Sequence, residues 1–211
     1  MEPVVISIEG SIGAGKSTLI QKLKERFNKV TFLTEPLKYY TSFKYHNPLT
    51  NLYVTPFTDS SVVQDFIIKN SFNYYKKNIL DTKTENIIVT DRSFDSVDYF
   101  IKLYLNCGYI TPESAKFLNK TYIQLKKHFN FKKIFVFLDV KPKICKRNII
   151  NRNRTSEEYI DLHLLSQLEE SIEEFKKNLS EKYYILKVEE QDTPDIVFEK
   201  FCNLLGWTVK A

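Results

Sequence analysis

Short apolar runs recur along the 211-residue chain and alternate with amphipathic segments. The runs are rich in β-branched and aromatic residues and lack strict alternation, which is typical of strands buried on both faces. They lie at residues 4–8, 30–33, 87–90, 134–138 and 183–188. Between them, apolar residues recur at helical spacing, as in Leu164, Leu168 and Ile172. Thr111 and Thr193 are each followed by a proline and an acidic residue, a sequence that is typical of a helix N-cap and predicts that helices begin there. This order predicts an α/β fold with a parallel central sheet of five strands.

Length and composition fit one ordinary globular domain, and we predict that residues 1–211 form a single unit. No segment is long and apolar enough to cross a bilayer, and no signal segment is visible, so we expect a cytoplasmic protein without membrane contact. The net charge of +5 suits a phosphate-bearing ligand, but solvated surface lysines explain it equally well. We therefore predict no nucleic-acid partner. The three cysteines match no metal spacing and are expected to be reduced.

A glycine-rich loop, "IEGSIGAGKST", follows the first predicted strand and holds three of the chain's five glycines. Residues 10–17 match the pattern G-x-x-x-x-G-K-[ST], and an apolar helix pattern follows them. In such a loop, backbone N–H groups and the helix N-terminus surround phosphates, the lysine reaches the β- and γ-phosphates, and the hydroxyl binds Mg²⁺. The alternatives are a chance match or an inactive loop. The predicted nucleotide-binding residues are Gly10, Ser11, Gly13, Ala14, Gly15, Lys16, Ser17 and Thr18.

Charged residues follow the second and third predicted strands. Glu35 comes after the second, and Asp91 and Arg92 come after the third. Because the carboxyl ends of parallel strands line one crevice, we expect these side chains to converge on the glycine loop. Glu35 could accept a hydroxyl proton, Arg92 could stabilise phosphoryl charge, and Asp91 could support Mg²⁺ together with Ser17. The alternatives are a surface residue before a proline turn for Glu35 and a capping ion pair for the other two. Without a GTPase N-K-x-D motif or a large insertion, the pattern favours a small-molecule kinase.

The glycine loop, "EP" after the second strand and "DRS" after the third resemble the deoxynucleoside kinase family in sequence and in order. The resemblance runs from Val4 to about Leu205. It implies a P-loop kinase fold, a five-stranded parallel sheet flanked by helices with an arginine-bearing lid at about residues 147–158. It also implies ATP and Mg²⁺ as cofactors, a deoxynucleoside as substrate, and a homodimer.

The resemblance also implies roles for single residues. Glu35 resembles the general base for the sugar 5′-hydroxyl, and Arg92 resembles the arginine beside it. Gln64 resembles the glutamine whose amide bonds the edge of the base, since an amide supplies both a donor and an acceptor. Tyr53 has the spacing of the tyrosine that bonds the 3′-hydroxyl, and Tyr40 takes the place of a pocket aromatic.

The segment "CKRNIINRNRTSEEYIDL" resembles the family's lid. Arg152 and Arg154 resemble the arginines that close over the triphosphate, because guanidinium groups suit phosphate oxygens. The role of Arg147 stays open, since the family's first lid arginine aligns better with the next residue. Glu157 or Glu158 should meet the 3′-hydroxyl, and the spacing favours Glu158.

The base preference is read from two positions. Purine- and cytosine-preferring relatives carry an arginine and an aspartate where this chain has Ser71 and Val97. We therefore predict transfer of the ATP γ-phosphoryl group to the 5′-hydroxyl of a deoxynucleoside, leaning to pyrimidines and accepting thymidine. The family's base-stacking aromatic aligns with Ile101 and not with the neighbouring Phe100. The alternatives are a thymidylate or other nucleoside monophosphate kinase, or a nucleotide-binding subunit that has lost catalysis.

Overall fold

A computed structural model describes residues 3–36, 60–81 and 87–208 of the chain. Five strands form one parallel sheet in the order β2-β3-β1-β4-β5. Their bounds are Val4–Gly10 (β1), Thr31–Leu33 (β2), Ile87–Asp91 (β3), Lys133–Asp139 (β4) and Lys182–Lys187 (β5). All five agree with the predicted runs to within two residues, so the predicted α/β class and parallel sheet are confirmed.

Seven α-helices of the described residues flank the sheet. They are Lys16–Arg26 (α1), Ser60–Tyr75 (α2), Ser96–Asn106 (α3), Pro112–Lys126 (α4), Pro142–Arg152 (α5), Leu162–Lys177 (α6) and Pro194–Leu205 (α7). A π-helical turn extends α2 over Lys76–Leu80, and a 3₁₀ turn spans Thr155–Glu157. The predicted caps form, since the Thr111 and Thr193 hydroxyls accept bonds from backbone N–H groups at 3.1 and 3.4 Å. Helix α1 packs on α7, and α3 packs on α4 and α6.

The central strands β1, β3 and β4 are largely buried, whereas most of the edge strand β5 is exposed. Phe135 and Phe137 on β4 are buried, and both meet Phe175 of α6 edge-on at 6.1 and 6.3 Å between ring centroids. Tyr99 of α3 meets the same ring at 5.6 Å. This aromatic cluster fixes α3 and α6 against β4, which matters below because α3 carries part of the site.

Within the described residues, no helix combines the length and the apolar character needed to cross a membrane. The cytoplasmic location stays a prediction. Tyr40 and Tyr53, expected in the substrate pocket, lie outside the described residues.

Candidate active site

The glycine loop joins β1 to α1 and lies against α5. Gly13 and Gly15 adopt positive φ angles of 81° and 92°. A Cβ atom at Gly13 would collide with the Cys145 carbonyl oxygen of α5. Asn148, one turn further along α5, donates a hydrogen bond to the Gly13 carbonyl at 2.8 Å. The close approach permitted by Gly13 therefore fixes the loop to the helix that leads into the lid.

Lys16 is buried within this loop. Its ammonium group donates to the backbone carbonyl oxygens of Ser11 at 2.8 Å and Gly10 at 3.3 Å. Burial, helped by the nearby positive charge of Arg92, lowers the pKa of Lys16 to about 8. Among the residues that the structure describes, no carboxylate is bonded to this ammonium group, which suits it to an anionic ligand.

Ser17 and Asp91 meet where α1 faces the end of β3. The Ser17 hydroxyl donates to Asp91 Oδ2 at 2.6 Å. The second carboxylate oxygen, Oδ1, is buried and has no hydrogen-bond partner in the described part of the chain. The Ser17 hydroxyl and the Asp91 carboxylate, whose buried Oδ1 has no hydrogen-bond partner among the described residues, fit the preference of Mg²⁺ for oxygen ligands.

Arg92 has an unusual backbone conformation. Its φ angle of 64° lies in the left-handed region, which is uncommon for a residue other than glycine. The conformation is held from two sides, because the Arg92 N–H donates to the Ile8 carbonyl of β1 and its carbonyl accepts from the Tyr75 hydroxyl, both at 3.0 Å. The chain therefore turns sharply as it leaves β3 and directs the arginine side chain into the crevice.

The guanidinium group of Arg92 lies between three side chains. Its Nε lies 3.5 Å from Glu35 Oε1, and its Nη1 donates to the Tyr99 hydroxyl at 2.5 Å. Its Cζ lies 4.9 Å from the ring centroid of Phe100, a cation–π distance. Sequence reasoning did not single out Tyr99, which is fully buried.

The structure brings Glu35 to the same place as Arg92, as the strand order predicted. Burial raises the pKa of Glu35, and the opposing effect of the Arg92 charge is smaller. A carboxylate whose pKa is raised toward neutrality, beside a fixed arginine and open to a cavity, can serve as a general base.

Glu9 is a buried acid that sequence reasoning missed. It precedes the first loop glycine and has no exposed surface. Its Oε1 accepts hydrogen bonds from Ser7 Oγ at 2.6 Å and from Ser93 N and Oγ, both at 2.9 Å. Its Oε2 accepts from the Tyr99 hydroxyl at 2.7 Å. The available signal was a charged residue at the end of an otherwise apolar strand.

A cavity of about 400 Å³ opens beside the loop, within the size range of small-molecule sites. The residues predicted for the site that line it are Gly13, Gly15, Lys16, Ser17, Thr18, Glu35, Gln64, Ser71, Arg92, Val97, Arg152 and Arg154. Gln64 is buried on α2, and its amide nitrogen has no hydrogen-bond partner in the described ranges. Phe100 lines the cavity, whereas Ile101 is buried outside its lining. The aromatic ring is therefore supplied by Phe100 and not by the position that aligns with the family.

The predicted lid, at about residues 147–158, begins within α5 and contributes Arg152, Arg154 and Glu157 to the lining of this cavity. Arg152 ends the helix, and its Nη2 lies 2.5 Å from Glu157 Oε2. Arg154 Nη1 lies 3.4 Å from the other oxygen of the same carboxylate. Glu157 lines the cavity, whereas Glu158, which the spacing favoured, is exposed and outside the lining. Arg147 is paired with Glu190 at 2.7 Å on the other side of α5.

A second cavity, of about 460 Å³, lies across the glycine loop from the first. The two cavities share Gly13, Gly15, Thr18 and Arg152. The loop after β5 and the start of α7 form the far wall, with Val188, Pro194 and Val197. The phosphate-binding loop therefore separates two ligand-sized spaces that meet at the lid arginine.

A parallel sheet in this order, with a glycine loop after its central strand and a basic lid, defines a P-loop kinase fold. Within that class the chain belongs to the deoxynucleoside kinase family, whose family model, described as "Deoxynucleoside kinase", matches residues 6–203. The family prediction is thus confirmed.

Named relatives have different substrates. The chain is 30% identical to a deoxyguanosine kinase of Dictyostelium discoideum over 84% of its own length, which spans 60% of that relative. It is 30% identical to a probable deoxycytidine kinase of Fowlpox virus, over 87% of this chain and 76% of the relative. It is 25% identical to a thymidine kinase of Ictalurid herpesvirus 1, over 82% and 74%.

A solved structure supports the fold. The deoxyadenosine kinase from M. mycoides, solved with dCMP and a flexible dCDP bound, superposes with a TM-score of 0.76. The match covers 96% of this chain and 98% of that one at 19% identity. At this identity the likeness establishes the fold alone.

Proposed function

We propose that this protein transfers the γ-phosphoryl group of ATP to the 5′-hydroxyl of a deoxynucleoside. The observation that carries the proposal is the arrangement of two cavities on either side of one phosphate-binding loop. Only one of these cavities is lined by Glu35 and Arg92. Donor and acceptor can therefore bind at once, with the candidate base on the acceptor side.

The donor side suits ATP. The second cavity, with apolar walls at Val140, Ile144 and Val188, would take the adenosine, and the loop would take the phosphates. Lys16 and the lid arginines would balance the charge of the transferring group. Ser17 and Asp91 would hold Mg²⁺, which neutralises charge on the phosphate oxygens.

The acceptor side suits a nucleoside. The buried amide of Gln64 would bond the edge of the base, and Phe100 would pack against its face. Glu35 would accept the proton of the 5′-hydroxyl as that oxygen attacks the γ-phosphorus. Arg92, held by Tyr99 and Phe100, would keep Glu35 oriented and stabilise charge on the phosphoryl group. Glu157, as a member of the cavity lining, is better placed than Glu158 for the 3′-hydroxyl.

The proposed base preference is pyrimidine, with thymidine accepted. It depends on Ser71 and Val97, which both line the acceptor cavity. These side chains are small and uncharged, so they leave room for a 5-methyl group and provide no charged partner for an exocyclic amino group.

The test is a set of initial rates with ATP and Mg²⁺ on the four deoxynucleosides and on dTMP. We expect thymidine or deoxycytidine to react fastest, and purines foremost would refute the base preference alone. Turnover only of dTMP would indicate a nucleoside monophosphate kinase. ATP binding without turnover of any acceptor would indicate an inactive subunit.

The role of Glu35 as the general base is tested by Glu35→Gln. The control variant is Glu113→Gln, on the exposed start of α4. Loss of one general base typically slows proton transfer by about 10²–10⁴-fold. We expect a loss of this size in turnover for Glu35→Gln, with ATP binding retained, and none for Glu113→Gln. Full turnover in the first variant would refute the role of Glu35.

We also propose a homodimer, as the resemblance implies. Phe117 on α4 and Val62 on α2 are 57% and 52% exposed, and these two helices pack together. Light scattering should give twice the chain mass, and Phe117→Lys should reduce it to one chain. A monomeric wild-type protein would contradict the proposal.

A further inference from the structure

Glu9 is linked to the backbone and to the side chain of Arg92 through two other residues, and it does not line the acceptor cavity. On the backbone side, its Oε1 accepts from the N–H of Ser93, the residue that follows Arg92, at 2.9 Å. On the side-chain side, its Oε2 accepts at 2.7 Å from the Tyr99 hydroxyl, which in turn accepts from Arg92 Nη1. A single carboxylate therefore holds the turn that carries the arginine and also the hydroxyl that orients the guanidinium group.

The direction of these hydrogen bonds requires a carboxylate. All four groups on Glu9 donate to it, namely Ser7 Oγ, Ser93 N, Ser93 Oγ and Tyr99 OH. The single hydroxyl proton of Tyr99 is used toward Glu9, so its lone pairs face Arg92. An amide at position 9 would present N–H groups to at least one of these donors and would reverse this order.

Tyr99 has no room to adjust. It is fully buried, packs edge-on against Phe175 at 5.6 Å between centroids, and lies next to the Phe100 ring that covers the guanidinium group. A disturbance at Glu9 is therefore passed to Arg92, because a rotation of the Tyr99 ring would collide with the core.

We infer that Glu9 is a positioning residue for phosphoryl transfer, which acts through Tyr99 to hold Arg92 beside Glu35. The inference rests on the proposed function, because Arg92 and Glu35 take their roles from it. It assigns no contact between Glu9 and either ligand. It therefore concerns the rate of transfer and not the affinity for ATP.

The test is a double-mutant cycle of Glu9→Gln with Arg92→Lys, measured on the nucleoside that the wild-type protein phosphorylates fastest. Misplacement of a reacting group by about 1 Å can cost about 100-fold. We expect Glu9→Gln to lower kcat by about 10- to 100-fold, with the ATP dissociation constant within about twofold of wild type. In the Arg92→Lys background the same change should cost less than about twofold, because a residue that acts through Arg92 has nothing left to position.

Thr90→Val is the matched control. Thr90 lies beside Ser7 in the sheet, is fully buried, and its hydroxyl has no hydrogen-bond partner within the described ranges. This variant removes a buried polar group from the same layer and should keep wild-type kcat. If Glu9→Gln does not fold, as judged by thermal unfolding, Tyr99→Phe replaces it in the cycle with the same expectation.

Two results would overturn the inference. One is an unchanged kcat in Glu9→Gln, and the other is an equal loss in the wild-type and Arg92→Lys backgrounds. A wild-type protein without turnover on any nucleoside would instead refute the proposed function, so the two failures are distinguishable.

Discussion

Glu157→Gln should move the affinities for the two ligands in opposite directions. Glu157 forms ion pairs with Arg152 and Arg154, the two arginines proposed to close on the triphosphate. It also lines the acceptor cavity. The same carboxylate therefore competes with the ATP phosphates for the arginines and is available to the nucleoside as a hydrogen-bond acceptor.

The magnitudes follow from exposure. The side chains of Arg152 and Arg154 are 30% and 42% exposed, so each pair is worth at most about 1 kcal/mol. Release of both pairs should therefore tighten ATP binding by about two- to thirtyfold. A neutral amide is a weaker acceptor than a carboxylate, by about 1 kcal/mol. The KM for the nucleoside should accordingly rise by about fivefold.

The assay is calorimetric binding of ATP together with steady-state kinetics on the preferred nucleoside. Glu158→Gln is the matched control, because it removes the same charge from the next, exposed residue and should change neither value by more than about twofold. Weaker ATP binding in Glu157→Gln would refute the reasoning, since it would mean that the ion pairs prepare the arginines for phosphate. Equal effects of the two variants would refute the placement of Glu157.

Two further predictions concern buried charges. Because the pKa of Lys16 is about 8 and only its protonated form attracts phosphate, the ATP dissociation constant should rise above pH 8, by at most about tenfold per pH unit, and Lys16→Arg should abolish this slope. Burial alone would raise the pKa of Asp95, but the ammonium groups of Lys133 and Lys126, at 2.7 and 2.8 Å from its carboxylate, lower it overall. The contribution of the Asp95 ion pairs to the free energy of unfolding should therefore be present above the pKa of Asp95 in the unfolded state. It should be lost as the pH falls through the pKa of Asp95 in the folded state. At pH 7, Asp95→Asn should lower the free energy of unfolding by about 3–5 kcal/mol in urea titrations, against about 1 kcal/mol or less for Lys126→Met, because Lys133 is buried and Lys126 is 36% exposed.

The sequence predicted the fold because its signals are local. Buried strands are continuous apolar runs, and caps such as Thr111 depend on neighbouring residues alone. The glycine loop is equally local, since residues 10–17 form one structural unit. The convergence of Glu35 and Arg92 followed from one general rule, that the carboxyl ends of parallel strands meet.

The remaining features depend on contacts between distant residues. Phe100 lines the cavity and Ile101 does not, because only one face of α3 meets the cavity. A step of one residue along a helix turns the side-chain direction by about 100°. The choice of Glu157 over Glu158 depends in the same way on the short turn after α5. The positive φ of Arg92 is stabilised by Ile8 and Tyr75, which lie far from it in the sequence.

Glu9 is a charged residue that is fully buried within a strand. Removing a carboxylate from water is costly, so an acid that persists without exposure must be matched by donors. Here the donors come from β1, which leads into the glycine loop, from the turn after β3, which carries Arg92, and from Tyr99 of α3. Because Gly10 directly follows Glu9, the strand that leads into the glycine loop would, in the proposed arrangement, also position Arg92. We therefore expect the spacing between the proposed donor and acceptor sides to be determined within the buried centre of the sheet.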